Sequence, residues 1–216
     1  MLEKMDAFFE ARLDGYDAHM LQNIAGAMEF YPFTAENLPT HADAAILDLG
    51  CGTGLELEYY FACNPTARVT GIDLSQKMLD RLRQKFPSNE LTLLQGSYFD
   101  IPMGEEIFNA AVSVESLHHF TQAQKIPLYT RLRRALKPGG WFILTDYFAE
   151  NDQEEMYFFH QLQQMKEREG IKDHAFYHFD MPLTVAHETE ALLLAGFQNV
   201  RILKNWGETY TLKAIK

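Results

Sequence analysis

The chain has 216 residues, 47% hydrophobic and 23% charged. This is enough for one domain with a buried core, and it excludes disorder, collagen or coiled coil as descriptions of the whole. With 30 acidic against 19 basic residues the net charge is −11, which repels phosphate backbones and anionic lipid, so neither nucleic acid nor a membrane is expected as a partner.

The first ten residues carry Glu3, Asp6 and Glu10 and no apolar run, unlike a secretory signal. Nowhere do 18 apolar residues follow one another, so no membrane span is expected. Met5, Phe8, Leu13, Tyr16, Met20, Ile24 and Met28 recur mostly at three- and four-residue steps. They predict an amphipathic helix over 1–29, or two divided at Gly15. Residues 30–44 hold two prolines and read as a connector with one helical turn at most.

From residue 45 the pattern alternates. AILDL (45–49), RVTGID (68–73), LTLLQ (91–95), FNAAVSV (108–114) and WFILTDY (141–147) read as strands. LELEYYFAC (55–63), a helix capped by Ser75, and PLYTRLRRALK, which opens at Pro127 and stops at Pro138-Gly139-Gly140, read as the helices between them. Strands separated by helices of about ten residues imply βαβ crossovers and a parallel sheet. A further helix is expected over 151–169, irregular chain over 170–183, and a helix closed by Gly196. QNVRILK and ETYTLKAIK then form an antiparallel hairpin turning at Asn205-Trp206-Gly207.

The informative segment is Asp48-Leu49-Gly50-Cys51-Gly52-Thr53-Gly54, which follows a strand and opens a helix. Glycines there let a ligand approach the backbone at the carboxyl end of a parallel sheet. The dinucleotide pattern needs glycine at 55, where this chain has Leu55. Asp48, Glu56 and Glu58, with no Lys or Arg among them, suit a cationic ligand better than a pyrophosphate. No Walker lysine follows. Asp73 stands 19 residues past Gly54 at the tip of the next strand, where a carboxylate can accept from both hydroxyls of a ribose.

DLGCGTG, GIDLS, QGSYFDIP, VESLHHF and LKPGGWFILTD, in that order, resemble the class I S-adenosylmethionine-dependent methyltransferases over about residues 45–147. The resemblance implies an α/β, Rossmann-like doubly wound fold. Its seven-stranded sheet is mostly parallel with the last strand antiparallel, and helices cover both faces. It divides the chain, taken as one domain, into a helical cover (1–40), a cofactor-binding core (45–147), a cap insertion (150–183) and a closing helix and hairpin (184–216).

The resemblance also implies roles. Gly50, Cys51 and Gly52 would line the methionine part of S-adenosylmethionine, with Asp48 beneath and Tyr16 near its carboxylate. Asp73 would hold the ribose, and Leu74 and Met78 would flank adenine. The family often places an acid where this chain has Ser97; Ser97 would accept from the adenine amino group, or the Tyr98 N–H would read adenine N1. Val114 and Glu115 would close the site. S-adenosylhomocysteine would be the product.

Cys51 lacks an identifiable base and reads as a packing residue. His118 and His119 follow the fourth strand, and either is a candidate general base. His174, His178 and His187 with Asp173 and Asp180 match no usual ligand spacing, so no metal is expected. Arg131, Arg133, Arg134 and Lys137 read as a solvated face. The leading expectation is a cytoplasmic enzyme, monomer or homodimer, that methylates a small molecule. The alternatives are a cofactor-binding relative without catalysis, a carboxymethylating-type enzyme that modifies the cofactor, and, disfavoured by Leu55, an NAD-dependent oxidoreductase.

Overall fold

The computed structural model describes residues 1–173 and 175–216, so His174 lies outside the described residues. One seven-stranded sheet organises them. It comprises β1 (Ala45–Leu49), β2 (Arg68–Asp73), β3 (Glu90–Gln95), β4 (Phe108–Val114), β5 (Leu136–Tyr147), β6 (Gln198–Trp206) and β7 (Thr209–Ile215). The order is β3-β2-β1-β4-β5-β7-β6. β7 runs antiparallel to both β5 and β6, while the other pairings are parallel.

Side-chain alternation along the central strands divides the core into two layers. Ala45, Leu47, Leu49 and Ala111 face one layer with Leu128, Tyr129 and Leu132 of α5 (Gln122–Ala135) and Ala191 and Leu192 of α7 (Val185–Leu194). Ile46, Ala110 and Val112 face the other. There they meet α2 (Ala27–Glu36), α3 (Leu55–Cys63) and α4 (Gln76–Lys85) through Phe30, Leu57, Tyr60 and Leu82. α1 (Met5–Asn23) lies against α2 and α4. No helix among the described residues is long and apolar enough to cross a membrane.

Local chemistry explains where the elements depart from the sequence pattern. α1 runs through the exposed Gly15, and the break falls instead at Gly26, with φ +79 and Trp206 packed where a side chain would project. The expected connector at 30–44 is largely α2. Pro32 sits inside it, and the hydrogen bond it forfeits would have gone to the carbonyl of Met28, which is exposed to water. Met28 accordingly points outward, not to the core. α5 begins at Gln122, five residues ahead of Pro127, because Thr121 and Gln124 form a reciprocal capping box. β5 begins at Leu136, so Pro138-Gly139-Gly140 lies in the strand, next to a register shift against β4. Arg131 donates to the carbonyls of Phe99 and Ile101, so that helix face is partly structural.

The N-terminal segment and residues 162–181 touch. Met5 N–H donates to Phe176 C=O (3.0 Å) and His178 N–H to Glu3 C=O (3.0 Å). Leu2 packs with Leu162 of α6 (Asp152–Arg168) and with Met181.

Beneath α5 and α7, Lys125 (1% exposed) is bound to Glu188 (0%), which also accepts from Tyr129. Removing one partner strands a buried charge, so Glu188→Ala should cost about 3–5 kcal/mol in urea denaturation. A loss below about 1 kcal/mol would mean that water replaces the partner.

At the end of β1, Gly50 N–H and Cys51 N–H both donate to Ile72 C=O (2.8 and 3.2 Å). Gly50, Gly52 and Gly54 have φ of +72°, +48° and +73°. A Cβ on Gly50 would stand 2.0 Å from Ser116 Oγ, whereas one on Gly207 (φ +62) would meet nothing within 4 Å. Left-handed backbone costs alanine about 1–2 kcal/mol. Gly207→Ala should lose about that much in the same assay and Gly50→Ala clearly more. Equal losses would show that Ser116 yields freely.

Candidate functional site: a glycine-loop cleft opening on an aromatic cavity

The glycine loop is held from below and from the side. Asp73 accepts from Gly52 N–H (2.9 Å) through one oxygen and from Ser75 N–H (2.8 Å) through the other. Burial pushes its carboxyl up to about 6, against the pull of those two N–H groups. Ser75 in turn caps α4 by accepting Met78 N–H (3.2 Å). From above, Asp17 of α1 accepts from Thr53 Oγ1 and pairs with Lys85 (3.0 Å). Sequence reasoning missed this bond to the loop; no local pattern marks a contact across 36 residues.

A cleft lined by Gly50, Gly52, Asp73, Leu74, Met78, Tyr98, Glu115 and His119 follows, with Tyr16, Phe9 and Met5 closing it from α1. A Cβ on Gly52 would meet nothing nearer than Tyr16 Oη at 3.9 Å, so the missing side chain leaves open space. Burial, then the charge of Asp73, pushes the Tyr16 hydroxyl well above its ordinary value.

Four named residues lie outside this lining. Asp48 is buried beneath the loop, where its Oδ2 and Glu56 Oε1 have no hydrogen-bond partner. Burial, then the charge of Glu56, raises Asp48 well above the usual carboxylate range. Cys51 packs over Gly71 of β2, and burial followed by the Asp48 charge pushes its thiol up. Ser97 caps its own turn by accepting Phe99 N–H (3.1 Å). Val114 is buried at the end of β4.

The cleft adjoins a second cavity of about 1000 Å3 through shared walls at Phe9, Tyr16, Glu115 and His119. Phe8, Met20, Tyr147, His178 and Trp206 supply its apolar surface, and Arg12, Asp14, Asp180 and Glu208 its charged groups. Phe8 is sandwiched between the His178 ring (3.5 Å, 8°) and the Arg12 guanidinium (3.6 Å). Glu115 lies at the junction in the left-handed region (φ 47), strained backbone for a residue with a side chain. Burial, then the Asp146 charge, pushes its carboxyl up to about 8.

The two histidines follow in a short 3-10 turn, Leu117–His119. His118 Nδ1 lies 2.5 Å from Asp146 Oδ1, and the other oxygen of Asp146 accepts Leu117 N–H (2.8 Å). Burial alone would favour neutral His118, but the Asp146 charge outweighs it and raises the imidazole well above its ordinary value. Burial, then the neighbouring His118 charge, lowers His119. Asp180 faces both rings. Sequence reasoning found the histidines but neither carboxylate as their partner, since these lie 28 and 62 residues from His118 in the chain.

A family profile described as a methyltransferase domain matches residues 46–140. An uncharacterized methyltransferase of Synechocystis sp. is 36% identical over 124 residues, 57% of this chain and 57% of that protein; the match thus spans little more than half of that relative. The carboxy-S-adenosyl-L-methionine synthase of Wolinella succinogenes is 32% identical over 202 residues, 85% of this chain and 80% of that protein. In fold, the S-adenosylmethionine-dependent methyltransferase of Mesorhizobium loti aligns with a TM-score of 0.66 at 20% identity, over 91% of this chain and 100% of that one. Human N-acetylserotonin methyltransferase, solved in complex with SAM, aligns at 0.64 and 18% identity, over 97% of this chain and 55% of that one. The sheet order, the glycine loop with its acidic partner, and these likenesses agree: the chain belongs to the class I S-adenosylmethionine-dependent methyltransferase family.

Proposed function

We propose that the protein binds S-adenosylmethionine in the glycine-loop cleft and methylates a small-molecule acceptor that enters by the aromatic cavity. The observation that carries this reading is the shared wall. A cleft suited to a nucleoside opens, past Glu115 and His119, on a cavity large enough for an organic acceptor.

The residues present fit the cofactor. Each Asp73 oxygen accepts a single backbone N–H and keeps capacity for a ribose hydroxyl. Leu74 and Met78 offer apolar surface for adenine, with Tyr98 beside them. The open space at Gly52 admits the methionine part, and Tyr16 stands over it. Bound there, the cofactor supplies an already activated methyl group.

The protein's share is then alignment and exclusion of water. His118 and His119 border the place where the acceptor's nucleophile must lie; His119, held neutral, takes its proton, and His118 orients it. The cleft encloses only about 50 Å3, far below the roughly 300–1,000 Å3 of ligand sites. Residues 1–40 therefore act as a cover that opens for the cofactor, and 150–183 as the acceptor's cap. The reducing compartment suited to Cys51 and Cys63 is the cytoplasm.

A second reading, modification of the cofactor itself, is favoured by the long match to the Wolinella synthase. Against it, the cavity wall sets the carboxylates of Asp14, Asp180 and Glu208 against Arg12 and the charged His118, a net negative setting poor for an anionic reagent.

Asp73 must be ionised to accept from both hydroxyls, and its carboxyl titrates at about 6. Affinity for S-adenosylhomocysteine, measured by calorimetry, should hold above pH 7 and fall up to about tenfold per unit below 6. Asp73→Ala should lose about 1.5–3 kcal/mol of affinity and that pH dependence. Equal binding at pH 5 and pH 8 in the wild type would place the ribose elsewhere.

Turnover is tested by following S-adenosylhomocysteine formation across a panel of hydroxyl, carboxyl and amine acceptors. With the best acceptor, His119→Ala should slow turnover by about 10²-fold or more, with S-adenosylhomocysteine affinity kept within about threefold. Formation of carboxymethylated cofactor instead would establish the second reading.

A further inference from the structure

Two imidazoles and a carboxylate meet at the floor of the aromatic cavity. His118 Nε2 lies 3.5 Å and His119 Nδ1 3.3 Å from the same oxygen, Asp180 Oδ1. The carbonyl oxygen of Phe179 lies 3.1 Å from that same His119 nitrogen. The three side-chain donor atoms all fall within 4.8 Å of one another. Donors held about 2.0–2.1 Å from a metal ion are about 3.0 Å apart on an octahedral edge and about 3.4 Å on a tetrahedral one. The two separations to Asp180, 3.5 and 3.3 Å, match a tetrahedral edge to within a few tenths of an ångström, and the two ring nitrogens stay within 4.8 Å of each other.

An independent feature lies behind His118. Its far nitrogen is held at 2.5 Å by Asp146, which is 1% exposed and fixed by Leu117 N–H. A buried carboxylate on the far nitrogen is the arrangement that aims a histidine at a metal and raises its basicity. Asp180 is exposed to the cavity, and His118, His119 and Asp180 all line it. The site is thus open to an ion and to a substrate.

We propose that His118, His119 and Asp180 bind a divalent transition-metal ion at the floor of the acceptor cavity. Two imidazoles with a single carboxylate suit zinc, cobalt, iron(II) or manganese better than magnesium or calcium, which prefer all-oxygen sets. Binding displaces the Nε2 proton of the charged His118, while His119, already neutral, keeps its one ring proton on Nε2. The role of the ion rests on the function proposed above: beside the methyl donor, and in place of a free imidazole base, it would hold an acceptor hydroxyl and lower its pKa. Occupancy itself does not depend on that function.

The competing arrangement is a closed hydrogen-bonded cluster in which both rings donate to Asp180. The two are separated by titrating the full chain, stripped with chelator and desalted, with Co2+ and following its visible absorption. The proposal expects one equivalent bound at micromolar concentration or tighter, with ligand-field bands of a nitrogen–oxygen site that Zn2+ abolishes. Asp180→Asn and His118→Ala should each weaken Co2+ at least about tenfold, and Asp146→Asn by about 10–100-fold. His187→Asn, whose ring pairs with Glu155, should bind as the wild type does. Circular dichroism checks that each variant is folded; Asp180, being exposed, is the safest test.

No bands at about 100 µM Co2+ (about two orders of magnitude beyond micromolar affinity) would overturn the proposal. So would binding that survives both Asp180→Asn and His118→Ala. S-adenosylhomocysteine affinity of the stripped protein, measured in parallel, shows whether the cofactor reading stands whatever the metal does.

Discussion

The site depends on one carboxylate. Asp73 reaches back from the tip of β2 to the N–H of Gly52 and forward to the N–H of Ser75. It thereby joins the glycine loop of one crossover to the helix start of the next. Parallel strands end with backbone donors that no neighbouring strand satisfies, and a loop of glycines has no side chains of its own to hold its shape. An acid at this position supplies both needs, and it does so at a cost, because burial opposes its charge. A ligand that donates to the same carboxylate stabilises the charged form. Loop order and ligand binding therefore draw on one group.

Around that point the chain concentrates further buried acid. Asp48 and Glu56 lie under the loop with unpartnered oxygens, and Glu115 stands at the mouth on strained backbone. Each is held above the ordinary carboxylate range, chiefly by burial. A ligand that brings positive charge favours their ionised forms, whereas a dinucleotide pyrophosphate opposes them. Asp146 belongs to a different balance. The charge of His118 offsets its burial and keeps it ionised, and the pair fixes the orientation of the ring at the floor of the aromatic cavity.

How legible all this is in the sequence follows from the range of the interactions. Ser75 capping Met78 is a contact across three residues, and β4 at 108–114 is a run of small and apolar residues that can only be buried. Both read directly. The left-handed backbone of the loop and the acid after β2 are also local, since glycine spacing and strand ends carry them. α2 is not legible because Pro32 ordinarily breaks a helix, yet here it lies inside one, one turn after the exposed Met28. Pro127 misled in the same way until the Thr121 capping box is considered. The partners of the histidines were not legible. Asp146 ends a strand that is adjacent only in space, and Asp180 lies in irregular chain with no periodicity to place it. The link between residues 3–5 and 176–178 is a pairing of backbone groups, which leaves almost no trace in side-chain pattern.

The central claim is that this loop and carboxylate hold a nucleoside sulfonium and not a dinucleotide. Isothermal titration of the full chain at pH 7.5, with S-adenosylmethionine and separately with NAD, tests it most directly. The account predicts one S-adenosylmethionine bound per chain at micromolar concentration and no heat from NAD. Tight binding of NAD with none of S-adenosylmethionine would contradict it.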